Sequence, residues 1–479
     1  MATADLSGDG HLAPVATAAR RRPELAIPRL FTHAFRRLGW GVADQAVSSL
    51  TNVAVSLYVV HSLGAAQFGA FSLAYVTYGF ALNASRGLST DPLMVRFSAV
   101  SGRVWRRGVR GSTGTAIAVG LITGIVTLAA AALFRGIIGA AFLGLGLTLP
   151  GLMLQDSWRF SFFAAGRGSQ AFLNDCIWGV TLLPALVLLR VAHHADVFWF
   201  TFAWGATACI GAAAGVLQSG LFPRPARAWE WLGLHRDLAT RYLIEGTLSS
   251  AVMQVRGYGT AALLGLAAVG YVQASVTLVG PITILSLGMG LVTLPEGARI
   301  LHRSPGKFPL FCWLVSGGLA LAGLAWGVVL IVAVPRGLGH VAVGGIWRPT
   351  YPLLLPQAVY MVGGGIAAGA GTGLHALGAA RRSLRVAIIG SLVVSALALG
   401  GAAAYGAQGT IYGMAIGTWF GAALAWWEFR QAWQESERTR AMADEPPDRH
   451  GRRTRPALVC LGATEPFDVH LLSAKQGLY

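Results

Sequence analysis

Apolar residues come along this chain in runs of about twenty, separated by short polar or arginine-bearing breaks. In order the runs cover 41–60, 68–88, 113–134, 137–155, 171–190, 196–219, 242–263, 268–292, 310–334, 352–376, 386–405 and 409–429. Each is close to the ~20 residues that a membrane-crossing helix needs. The first two carry polar stripes. Asp44, Ser48, Asn52 and Ser56 recur at every fourth residue, and Ser72, Tyr75, Gly79, Asn83, Arg86 and Thr90 at every third or fourth, so each set lies along one side of a helix. In hydrocarbon such groups would leave hydrogen bonds unmet, so the stripes face the bundle interior or a water-filled cavity. The pattern predicts an all-α polytopic membrane protein of about 12 transmembrane helices.

The opening hairpin has an echo. Sliding the chain by 201 residues sets Asp44 on Glu245, Ser48-Ser49 on Ser249-Ser250, and Leu63-Gly64-x-Ala66-x-x-Gly69 on Leu264-Gly265-x-Ala267-x-x-Gly270. The repeat starts at the seventh run, which predicts two pseudo-symmetric six-helix lobes in parallel topology around a central cavity. The expected organisation is a basic N-terminal segment, 1–38, an N-lobe, 39–219, a linker, 220–241, a C-lobe, 242–430, and a partly disordered tail, 431–479.

Composition agrees with a membrane class: 54% hydrophobic residues, 12% charged and a mean hydropathy of +0.57. The net charge of +17 suggests nucleic acid until the arginines are placed. Arginines before residue 38 and in 96–110, 159–167, 224–241, 299–307, 381–385 and from 430 onward all fall on one side of the predicted spans. Arg135, Arg190, Arg336 and Arg348 fall on the other. By the positive-inside rule both termini are cytoplasmic, and the basic surplus meets anionic membrane lipids rather than nucleic acid. The four cysteines have no paired spacing, so neither a disulfide framework nor a metal site is expected, and no cofactor motif is present.

The segment SLGAAQFGAFSLAYVTY, ahead of NASRGLSTDP, resembles the N-terminal hairpin of bacterial polysaccharide-biosynthesis exporters. These form the oligosaccharide-lipid flippase branch of the MOP (multidrug/oligosaccharidyl-lipid/polysaccharide) exporter superfamily. The stretch GGIWRPTYPLLLPQAVYMVGGGIAAGAGTGLHALG is also similar to that family, and the resemblance spans about Leu38 to Arg430. It implies a two-lobed, non-enzymatic flippase of the bacterial plasma membrane. Such a protein moves undecaprenyl-diphosphate-linked oligosaccharide or polysaccharide repeat units by alternating access, alongside a polymerase or glycosyltransferases of the same pathway.

Cargo of that kind has an anionic diphosphate, for which Arg supplies a permanent charge and a matching fork. Arg256, inside the seventh run, is the sharpest candidate, with Gln254 beside it. Arg86, Asn83 and Asn52 complete the proposed cavity lining. Arg256 has bland readings too, as a snorkelling side chain or a structural ion pair. Asp44 and Glu245 are candidates for binding a coupling proton or cation. Equally, each is placed where a carboxylate favours a helix N-terminus. Pro281, mid-way through the eighth run, is a hinge candidate. Asp91-Pro92 reads as a helix stop, and Trp229 with Trp231 as an interface anchor. A multidrug or toxin cation antiporter on the same fold, and less readily a membrane glycosyltransferase or polymerase, remain as alternatives.

Overall fold

The computed structural model describes residues 27–98, 102–333, 339 and 343–444. All regular structure among them is helical. Expectations about 1–26 and 445–479 lie outside the described residues.

Helix α1 (Ile27–Ser62) already begins within the stretch expected to be a polar leader. A turn at Gly64 reverses the chain into α2 (Ala65–Ser85). The chain does not stop at Asp91-Pro92 as expected. A π turn (Arg86–Thr90) carries it into α3 (Asp91–Phe97), where Pro92 sits in the first turn and needs no intrahelical donor partner. Then follow α4 (Gly102–Phe134), α5 (Gly136–Ala164), α6 (Gly168–Val191) and α7 (Val197–Ser219), which complete the N-half.

The C-half begins with α8 (Ala228–Leu264), bent at His235, whose backbone is non-helical. The expected linker is therefore largely helix. After Gly265, held at φ 82°, α9 (Leu266–Leu278) and α10 (Gly280–Arg303) meet at a 54° bend. Pro281 lies in the first turn of α10, at the break itself rather than in the middle of one helix. Helices α11 (Phe308–Ala333), α12 (Leu354–Ala376) and α13 (Ala380–Asp444) close the half. α13 breaks at Tyr405-Gly406. Its two arms run antiparallel, with Gly401 against Gly409 and Gly413 against the Leu397 carbonyl.

Seven of the described helices are long and apolar enough to cross a membrane, eight if the bent α9–α10 pair is one span. α1, α2 and α8 are not among them, because their polar stripes lower the mean hydropathy of any window. Helix packing relies on small residues, as expected where hydrocarbon surrounds the bundle. Gly120 and Gly124 of α4 meet the α5 backbone, and Gly365 and Gly369 of α12 meet that of α11. Trp204 and Tyr78, with rings 4.8 Å apart, are buried in the N-half core, and the exposed Tyr75 flanks them 5.6 Å from Trp204.

The halves meet through a reciprocal contact. A Cβ on Gly69 would overlap the Leu266 carbonyl, and one on Gly270 would overlap the Ala65 carbonyl. The 201-residue offset relates these two contacts, Ala65 to Leu266 and Gly69 to Gly270. Contact i to j mirrored by j to i is the signature of a two-fold axis. From there α2 and α8 stay together toward the arginine-rich end of the bundle. Thr77 bonds the Tyr258 hydroxyl, Asn83 Nδ2 donates to Ser250 Oγ at 2.7 Å, and Gly87 lies against the backbone of Tyr242 and Leu243. At the basic end Trp231 Nε1 donates to the Leu88 carbonyl at 3.0 Å. Trp231 is thus buried under the π turn, whereas Trp229 is 82% exposed, so only one of the pair is free to act as an anchor.

Candidate functional site

The charged side chains inside the N-half gather into one network near the basic end. Asp156 and Arg159 lie on one face of α5, three residues apart. Arg86 donates to both oxygens of Asp156, Nε to Oδ2 at 2.9 Å and Nη2 to Oδ1 at 2.7 Å, while its guanidinium stacks 4.8 Å above the Phe160 ring. Arg159 reaches the other way. Its Nε donates to Asp44 Oδ2 at 2.7 Å, Nη2 bonds the same oxygen, and Nε lies 3.3 Å from Asp175 Oδ2 on α6. Gln155 Nε2 holds Asp175 Oδ1 at 2.9 Å. Asn174 Nδ2 continues the chain of bonds to the Gly211 carbonyl at 2.8 Å and to Gln218 at 3.1 Å.

Three carboxylates thus share two guanidiniums, which leaves a formal surplus of one negative charge in a buried setting. Asp175 also borders a small cleft lined by Ser48, Thr51, Asn52, Trp178 and Leu182. Polar groups held this far from water persist only when paired, and one unmatched carboxylate in such a place favours a proton or a cation.

Of the residues singled out from the sequence, the structure brings Asp44, Asn52 and Arg86 to this region. Arg86 is engaged with Asp156 rather than open to solvent on all sides, and Asp44 is fully buried against Arg159. Asn83 instead ties α2 to α8. The charge pattern places Arg159 in a loop after a span ending at 155; it lies within α5, 13% exposed, as an ion-paired member of the bundle. Asp156, Arg159, Asp175, Gln155 and Asn174 carry the network. Their signal in the sequence is polar residues at helical spacing at the margins of apolar runs, 155-156-159 and 174-175.

In the C-half the picture is different. Arg256 sits on α8 eight residues before its end at Leu264, about 12 Å of rise from the end away from the basic side. Among the described residues its guanidinium has no hydrogen-bond or ion-pair partner, and Tyr360 of α12 is the titratable group within electrostatic reach. The buried Gln254 Oε1 also has no partner among them. Glu245 lies on the α8 backbone, but its side chain is outside the described residues. Pro281 is exposed at the α9–α10 bend.

No family model and no curated protein matches the sequence. Solved structures do match the fold. The lipid II flippase MurJ, in an inward closed conformation, is similar over 85% of this chain and 93% of that one, with 11% identity and a TM-score of 0.63. An inward-facing multidrug resistance MATE family transporter of the MOP superfamily aligns over 82% and 96%, with 16% identity and a TM-score of 0.59. A MOP superfamily transporter from Pyrococcus furiosus aligns over 85% and 96%, with 15% identity and a TM-score of 0.55. The chain is an integral membrane protein with the fold of the MOP superfamily transporters.

Proposed function

We propose that this protein is a transporter that flips a lipid carrying a diphosphate-linked oligosaccharide or polysaccharide repeat unit across a bacterial plasma membrane by alternating access. The basic end faces the cytoplasm, with both termini, and the cargo serves cell-surface polysaccharide synthesis. The observation that carries this reading is Arg256. It is a cation on α8, within the seventh apolar run of the sequence, with no carboxylate to neutralise it among the described residues. A charge at the centre of a membrane helix costs ~2.5–3.5 kcal/mol, and a cation within an apolar run has an anionic ligand as its natural complement. The reciprocal Gly69 and Gly270 contacts supply an axis about which the halves rock. The α9–α10 bend at Pro281 supplies a place where a helix can flex.

The test is flipping of a fluorescent undecaprenyl-diphosphate-linked oligosaccharide in proteoliposomes. Wild type transports it, Arg256→Ala loses transport, and Arg256→Lys recovers part of it at matched insertion. A second reading, cation antiport, is favoured by the surplus carboxylate of the N-half network. Proton-driven uptake of an organic cation, with no movement of any lipid-linked sugar, would select it.

A further inference from the structure

Arg86 and Asp156 are unequal partners. The carboxylate is 7% exposed and the guanidinium 28%, so the pair presents its cation to whatever approaches. Arg86 also opens the π turn that joins α2 to α3, a local backbone irregularity that recurs at working sites in helices. Its flat face is supported by Phe160, which leaves the guanidinium edge for planar or branched oxyanions. A diphosphate competes for the same two N–H groups that Asp156 accepts from.

The consequence falls on Asp156. The charged and titratable groups around Asp156 are Arg86 on the π turn, Tyr78 of α2, Arg159 on its own helix, Asp44 of α1 and Asp175 of α6, while Tyr75 of α2 and Asp91 of α3 face its partner Arg86. Arg159 is already bound to Asp44 and close to Asp175. With Arg86 taken by cargo, three carboxylates are left to one guanidinium in a buried site. A carboxylate stranded in that way neutralises itself by taking a proton.

We propose that the Arg86–Asp156 pair couples cargo to a proton: the diphosphate headgroup displaces Asp156 from Arg86, and the released carboxylate takes one proton from solvent, so that anion and proton bind together. Arg86 stays protonated throughout and exchanges two carboxylate acceptors for phosphate oxygens. Asp156 gains one O–H bond. The inference rests on the flippase reading, and it makes the linkage positive, so cargo tightens proton binding and protons tighten cargo binding by the same factor. Cation antiport would require the opposite sign.

The experiment uses the full-length protein in nanodiscs with undecaprenyl diphosphate as probe. Binding is measured by calorimetry in buffers of different ionisation enthalpy, between pH about 8 and about 6. Wild type takes up about one proton per lipid bound, and its affinity rises by up to about tenfold for each unit fall in pH. Asp156→Asn binds at least as tightly, with neither proton uptake nor pH dependence, and Arg86→Gln weakens binding. Should the variants fold poorly, infrared difference spectra of the wild type provide the second readout, a protonated carboxyl C=O band appearing on addition of the lipid. Tight binding of the lipid without proton uptake or such a band overturns the switch and leaves the flippase reading standing. So does uptake that persists in Asp156→Asn. Failure of wild type to bind the diphosphate lipid at all overturns that reading itself.

Discussion

Arg159 directs both Nε and Nη2 to a single oxygen of Asp44, Oδ2, across 115 residues of sequence, while Oδ1 of that carboxylate has no partner among the described residues. Arg159 is therefore the only cation among them that bridges Asp44 and Asp175.

Removing that bridge leaves two buried acids facing each other. Arg159→Ala should cost about 3–5 kcal/mol of stability, the penalty for an uncompensated buried charge. The double variant Arg159→Gln with Asp44→Asn should be less destabilised than the sum of the single changes. A double-mutant cycle on thermal unfolding in detergent checks this. Additive effects would mean the pair contributes nothing as a pair.

Gly69→Val and Gly270→Val should each damage the same surface, since both side chains would run into backbone carbonyls of the other half. Overpacking of this kind costs about 1–3 kcal/mol. The pseudo-two-fold relation predicts similar losses for the two, read as a fall in thermal midpoint and a reduced transport rate. A large loss in one and none in the other would argue against a shared axis.

Glu428 on the second arm of α13 is fully buried and accepts from Arg382 Nη1 at 2.7 Å and Arg385 Nη1 at 2.6 Å, both on the first arm. Arg382 also holds Glu435 at 2.6 Å. Glu428→Ala should destabilise by about 1–3 kcal/mol, because Arg385 loses its acceptor and Arg382 keeps only Gln431 and Glu435. Arg385→Gln, at a half-exposed residue, should cost under about 1 kcal/mol. Chemical denaturation of the three proteins side by side tests the order.

His235, at the bend of α8 and outside the apolar spans, packs on Trp231 and lies 2.6 Å from Arg96 Nη1. Burial first, and then the Arg96 charge, push its pKa down to about 4 from the ordinary 6.5. The folded state therefore holds it neutral while the unfolded chain protonates it. Stability from this group is complete above about 6.5 and is lost as pH falls toward about 4. Arg96 also caps the Leu234 carbonyl at 3.0 Å and pairs with Asp237 at 2.6 Å. Unfolding followed across this window should show a pH slope that His235→Gln removes. An unchanged slope in that variant would assign it to other groups.

Much of the architecture was legible in the chain. Apolar runs of helical length, the recurrence of Asp44, Ser48, Asn52 and Ser56, and the offset that pairs Gly69 with Gly270 all report on local geometry. The membrane environment enforces that geometry because every backbone group must be satisfied within the helix. The same local reading misplaced Arg159 and overlooked Asp156 and Asp175. A hydropathy window scores each charge as if it met hydrocarbon alone, and so ends the span before it.

From the sequence alone came a helical membrane bundle, the 201-residue offset, its basic end and Arg256 as a candidate cation within an apolar run. Tertiary structure decided which arginines are already answered. Arg86 is matched by Asp156, 70 residues away, and Arg159 by Asp44, 115 residues away. Coulombic pairing depends on distance in space, and in a low-dielectric interior that distance decides whether a charge is a liability or a working part.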